Sequence, residues 1–315
     1  MTVSRKIDAF LWVEKYRPQT IEECILPPKM KSEISAFIKE GNITNMLFSG
    51  TAGVGKTTLA KAICNQVDAD MLYINMSNQT GIDVVRNQIT QFASTASFGG
   101  NLKVVLGDEA ERLSNSAQDS LKATIEEFHK NTRFIFTTNN VHKVIDPIRS
   151  RCTHFEFKVS DADKKPMMAQ MMKRCAEILK LEGIEYETSA IVALVSKNFP
   201  DFRKTLNELQ RYSTYGKIDA AILAQEATSF EDLVTSMKEK KFADVRKWVA
   251  KNGDMDSATL FRYFYENLTS IFEGKCIPSI ILVLAQYQHY ATHVVDQEIN
   301  NIACIVEIMG VAQWK

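Results

Sequence analysis

Short apolar runs and helix-length amphipathic stretches alternate along the first half of the chain. Met46-Leu-Phe-Ser49 is a compact apolar run that ends at a glycine. Residues 56–67 then set Leu59, Ile63 and Val67 four apart, which predicts a helix with one buried face. The same alternation continues with strand-like runs at 71–75, 104–106, 133–137 and 154–157, separated by helical patterns at 82–92 and 116–129. The strand-like runs do not alternate cleanly between apolar and polar, as expected of strands covered on both faces. Strands separated by helices predict a parallel, doubly wound α/β sheet flanked by helices, placed over 1–158.

The strand signal fades after Lys158. Helical patterns at 161–181, 189–197, 202–212 and 219–226 predict a small helical domain over 159–228, with Pro200-Asp201 as a cap before the third helix. A second all-helical block is expected over 229–315, with helices at 242–251, 256–272, 278–289 and 296–309.

Composition adds exclusions. Lys plus Arg and Asp plus Glu number 38 each, so the net charge is zero and bulk charge gives no support to broad nucleic-acid binding. A local patch within an assembly remains compatible with that balance. The six cysteines are scattered without a CxxC pair, which fits buried, reduced thiols. No signal-peptide pattern or membrane-length apolar run is present, so a cytoplasmic protein with no membrane partner is expected.

The chemistry begins at Gly50-Thr51-Ala52-Gly53-Val54-Gly55-Lys56-Thr57, a full match to GxxxxGK[ST]. Glycines let successive backbone N–H groups turn inward on phosphate oxygens, and the following helix adds its positive N-terminal dipole. Lys56 is expected to reach the β and γ phosphates and Thr57 to hold Mg²⁺. Thr58 continues the binding set. The motif follows a predicted strand and opens a predicted helix, the context that distinguishes it from a Gly-rich turn.

A second signal is Asp108-Glu109, at the end of a strand expected beside the phosphate loop. Asp108 is expected to hold the metal and Glu109 to polarise an attacking water. Gly107 stands where an apolar residue is usual. It is expected to loosen the strand, lose packing, and so affect metal geometry and the hydrolysis rate.

These residues, in this order, resemble the AAA+ ATPases, and among them the clamp loaders. Lys15-Tyr16-Arg17-Pro18 and Thr20-Ile-Glu-Glu-Cys24 resemble the segment that lines the adenine pocket. Thr138-Asn139 resembles the sensor 1 position. Ser150-Arg151-Cys152 matches the clamp-loader Ser-Arg-Cys motif, and Phe199-Pro-Asp-Phe-Arg203 resembles the sensor 2 helix. The length and the ending Gln313-Trp314-Lys315 resemble large clamp-loader subunits of T4-like phages.

The resemblance implies roles. Tyr16 and Arg17 would line the adenine site. Asn139 would sense the γ-phosphate or position water, and Arg203 would reach the phosphates from the lid. Arg151 would act in a neighbour's site as an arginine finger, a contribution worth about 10³–10⁵ in rate. Thr80, Gly81 and Arg86 would face the template strand, or Arg86 would instead link the DNA channel to the acid pair. The implied cofactors are ATP and Mg²⁺. The implied partners are a sliding clamp, a clamp-loader small subunit, primer–template DNA and further copies of the chain, as a homotetramer within a hetero-pentamer. The last helical block would be the collar that holds the ring together.

Two other readings stay open: a structural AAA+ subunit that binds ATP without hydrolysing it, and another AAA+ remodeller such as a helicase loader. His289 and His293 lie four apart without a third ligand, which fits a surface or core role. Met167, Met168, Met171 and Met172 fit core filling.

Overall fold

The computed structural model describes residues 10–39, 43–78, 82–95, 101–219, 230–253, 255 and 257–315. Five parallel strands form the main sheet: β1 (Met46–Ser49), β2 (Asp70–Asn75), β3 (Lys103–Asp108), β4 (Thr132–Thr138) and β5 (Thr153–Glu156), in the spatial order β2-β3-β4-β1-β5. Successive side chains in a strand point to opposite faces. Met46, Phe48, Val104, Leu106 and Ile135 therefore enter one core with Leu59 and Ile63 of the helix Lys56–Gln66. Leu47, Val105, Phe134 and Phe136 enter the other, with Val85 and Ile89 of the helix Ile82–Ser94 and Leu121 and Ile125 of the helix Asn115–Phe128. Burial on both faces explains why the strands read as continuous apolar runs.

The strand order corrects one expectation. The strand that carries the acid pair is not the neighbour of β1, because β4 lies between them. Parallel strand order follows from how the crossovers pack, and the residue pattern of a single strand does not encode it.

Gly107 corrects another. A side chain there would collide with the Met76 methyl and approach Phe136 Cδ1 to 2.8 Å. Those two side chains already fill the space, so packing around β3 is not lost.

The helices Asp161–Leu181, Thr188–Asn198 and Phe202–Ser213 follow. Ser160 and Asp201 cap the first and third, accepting from the backbone of Asp163 and Lys204. Two features here escaped the sequence reading: the helix Pro28–Lys39, and a two-residue parallel pairing of Glu185–Tyr186 with Lys217–Ile218. The expected helix at 219–226 lies outside the described residues save its first position.

The chain divides into two compact units, 1–220 and 221–315. The second is all-helical, with Phe242–Lys251, Ser257–Glu266, Leu268–Ile271, Ile277–Tyr290 and Gln297–Val311 around a core that includes Leu260, Phe264, Phe272, Ile280 and Ile305. The single helix expected over 256–272 is interrupted at Asn267. The Asn267 side-chain amide and its backbone N–H both donate to the Tyr263 carbonyl, at 2.9 and 3.1 Å. The His289 and His293 rings lie edge to face, 5.5 Å apart. Met167 and Met171 are buried. The six cysteines are free, five of them buried. No helix among the described residues is long and apolar enough to cross a membrane.

Candidate nucleotide site

Residues 50–55 cross from β1 to the helix Lys56–Gln66. The crossing needs left-handed backbone at Gly53 (φ 78°) and Gly55 (φ 95°). A Cβ on Gly53 would also strike the Asp201 carboxylate, because the lid packs there: Phe202 N–H donates to the Gly53 carbonyl at 3.0 Å. The loop opens into a cleft of about 1110 Å³, mouth included. Tyr16, Arg17, Ala52, Gly53, Gly55, Lys56, Thr57, Thr58, Asp108, Glu109, Asn139 and Arg203 all line it.

Lys56 is only 7% exposed. Its ammonium donates to the carbonyls of Gly50 (2.9 Å) and Thr51 (2.7 Å) and to Asn139 Oδ1 (2.9 Å). Burial pushes Lys56 down to about 8, against the opposing charges of Glu111, Asp108 and Glu109. Asp108 gathers three hydroxyls. Thr57 donates to Oδ1 at 2.8 Å, Thr137 of β4 donates to the same oxygen, and Tyr73 of β2 donates to Oδ2 at 3.0 Å. Thr137 thus bridges the intervening strand, and the acid reaches the phosphate loop although β3 and β1 are not neighbours. A hydroxyl and a carboxylate side by side are hard oxygen donors, and such a set fits Mg²⁺.

Glu109 adopts left-handed backbone (φ 57°), uncommon for a residue with a side chain. The turn it makes leads into the short 3₁₀ segment Ala110–Arg112 and brings Glu111 back against the end of β4. There Glu111 Oε1 accepts from both the backbone N–H (3.1 Å) and the side-chain amide (3.0 Å) of Asn139. The sequence reading missed Glu111 and Tyr73. The run Asp108-Glu109-Ala110-Glu111 was the available signal for the first; nothing local marked the second.

A short N-terminal segment ties cleft and lid together. Arg17 donates to Thr58 Oγ1 (3.0 Å), and Tyr16 and Lys15 both donate to Glu182 Oε1 (2.6 and 2.7 Å). Arg174 donates to the Tyr16 carbonyl (3.1 Å). Trp12 N–H donates to Gln210 Oε1 (3.0 Å), and the Gln210 amide donates to the Phe10 carbonyl (2.7 Å).

Gly50, Thr51 and Val54 do not line the cleft, and Val54 is buried in the core with Phe48 and Leu59; the other expected residues fall elsewhere. Arg151 does not line the cleft of its own chain; it pairs with Glu126 and donates to the Pro147 carbonyl at 2.7 Å. Arg86 is exposed on the helix Ile82–Ser94, beside a small pocket shared with Leu113, Ala117 and Leu121. Thr80 and Gly81 lie outside the described residues.

Comparison with known proteins gives the same direction. Residues 46–159 match the model of the ATPase family associated with various cellular activities (AAA). Residues 163–224 match the sliding-clamp-loader large subunit, AAA+ ATPase lid domain. The chain is 36% identical over 313 residues to the sliding-clamp-loader large subunit of Enterobacteria phage T4, covering 96% of each chain. It is 34% identical to that of Escherichia phage RB69, again over 96% of each. The replication factor C small subunit of Saccharolobus solfataricus is 37% identical over 69% of this chain and 66% of its own. Among solved structures, the RuvB Holliday junction branch migration motor of Thermotoga maritima shares the fold, with a TM-score of 0.56 at 19% identity over 69% of this chain and 72% of that one. The chain belongs to the sliding-clamp-loader large-subunit family of AAA+ ATPases.

Proposed function

We propose that this ATPase works as a switch in a multi-subunit clamp loader: ATP binding organises the assembly to open a ring-shaped clamp and grip primer–template DNA, and hydrolysis releases the clamp closed on DNA. The convergence of Lys56, Thr57, Asp108, Glu109, Asn139 and Arg203 on one cleft carries the reading. Backbone N–H groups of 50–58 and the Lys56 ammonium bind the phosphates. Tyr16 and Arg17 wall the base end. Thr57 and Asp108 would hold Mg²⁺, which supplies charge neutralisation at the phosphates when bound. Glu109 takes the proton of the attacking water, Asn139 orients that water, and Arg203 neutralises charge from the lid.

Arg151 is assigned to the cleft of an adjacent copy, where a cation at the γ-phosphate makes hydrolysis depend on assembly. Its position outside its own cleft supports the assignment. The DNA-facing role stays with Thr80, Gly81 and Arg86, and the helical unit 221–315 is assigned to subunit assembly. Four copies with one small subunit complete the proposed ring.

The test is steady-state ATP hydrolysis by this chain with its small subunit, with and without clamp and primer–template DNA. Strong stimulation by clamp and DNA together is expected, and Arg151→Ala should keep ATP affinity while losing most of that turnover. Flat hydrolysis under all conditions, or an Arg151→Ala assembly with normal turnover, removes the switch or the trans-acting arginine respectively.

A further inference from the structure

Glu111 makes two hydrogen bonds to Asn139 of the cleft, although it is not itself among the residues that line it. Its Oε1 accepts two bonds from Asn139, one from the backbone and one from the side-chain amide. Because the amide nitrogen is held by Glu111, the carbonyl oxygen of Asn139 must face the other way, and it accepts from Lys56 at 2.9 Å. A carboxylate accepts only, so it admits one orientation of an Asn side chain. The reversed amide would set its N–H groups against the Lys56 ammonium and its oxygen against a carboxylate. The second Glu111 oxygen, Oε2, is buried and finds no hydrogen-bond partner among the described residues. Buried polar atoms are nearly always paired, so this oxygen is open to a further donor.

We infer that Glu111 is a positioning residue for ATP hydrolysis: it fixes the backbone and amide of Asn139 in the orientation the reaction uses. The inference rests on the assignment of Asn139 to the reaction made above. Glu111 does not line the cleft, so its loss is expected to act mainly on the chemical step. Misplacement of a positioned group by an ångström is enough to cost about 10²-fold in rate.

The test is a double-mutant cycle in the full assembly with clamp and primer–template DNA, reading kcat and KM for ATP, with ATP affinity of the full chain measured by calorimetry. Glu111→Ala is expected to lower kcat at least tenfold at pH 7, with a much smaller change in the ATP Kd. Glu111→Gln keeps an acceptor oxygen at the same reach and should recover most of kcat. The Glu111→Ala/Asn139→Ala double variant should be no slower than Asn139→Ala alone, since one residue acts through the other. If Glu111→Ala does not fold, as judged by its melting temperature, Glu111→Asp takes its place. Its shorter reach should give the same loss.

Additive losses in the double variant overturn the proposal, as does a change confined to Kd or KM. An Asn139→Ala variant with normal kcat removes the role of Asn139 and the proposal with it. A slow Asn139→Ala beside a normal Glu111→Ala removes only the role of Glu111.

Discussion

Lys56 is a cation with almost no water around it, held instead by two loop carbonyls and Asn139. Burial brings its pKa from 10.5 to about 8. The sign matters for two processes. Between about pH 8 and 10.5 the unfolded chain binds more protons than the folded one, so this group's contribution to stability rises with pH across that window. Nucleotide binding runs the other way, because phosphate charge favours the protonated lysine. ATP affinity should therefore fall about tenfold between pH 7 and 9, with proton uptake on binding. Calorimetry in two buffers of different ionisation enthalpy reads that uptake directly. Lys56→Arg, which stays charged, should show none; equal uptake by the Arg variant would place the titration on another group. The charge network was only partly legible in the sequence. Lys56, Thr57 and Asp108 follow from a motif whose spacing is set by phosphate geometry. Glu111 and Tyr73 do not, because they arrive through a left-handed turn and a neighbouring strand.

At the scale of elements, the strands and the helix after the phosphate loop were readable because each is fixed by its own residues. Continuous apolar runs mean two covered faces, and a 3.6-residue period means one buried helical face. The insertion of β4 between β1 and β3 was not readable, and neither was the break at Asn267. Gly107 shows why a departure from a common pattern can mislead. By residue pattern glycine weakens a strand, yet Met76 and Phe136 occupy the volume a side chain would take. Gly107→Val should therefore destabilise rather than repair the strand, by about 1–3 kcal/mol from overpacking. Denaturant unfolding measures the change; a more stable variant would mean that Met76 and Phe136 yield freely. The support that Gly107 lent to a non-hydrolysing subunit is correspondingly weakened.

Across the whole molecule, the apolar clusters close within their own units. Two lie on opposite faces of the sheet in 1–220, and the third lies within 221–315. Residues 1–220 expressed alone should therefore fold and bind ATP with a Kd within about twofold of the full chain, because every group lining the cleft is retained. The same fragment should lose hydrolysis stimulated by small subunit, clamp and DNA. Calorimetry and turnover measure the two halves of the prediction. Loss of ATP binding would mean that the first unit depends on the second for its fold, and retained stimulation would remove the assembly role of 221–315.

The N-terminal segment has a consequence for time as well as for affinity. Residues 10–17 hold the lid at Arg174, Glu182 and Gln210 and also grip Thr58 beside the phosphate loop. The helices that carry Arg174 and Gln210 are thus tied to one segment, in addition to the direct bond from Phe202 to Gly53. Release of spent nucleotide is therefore expected to wait on the lid as well as on the fit of the nucleotide, so that cutting the Tyr16–Glu182 contact with Glu182→Ala should shorten the dwell of ADP.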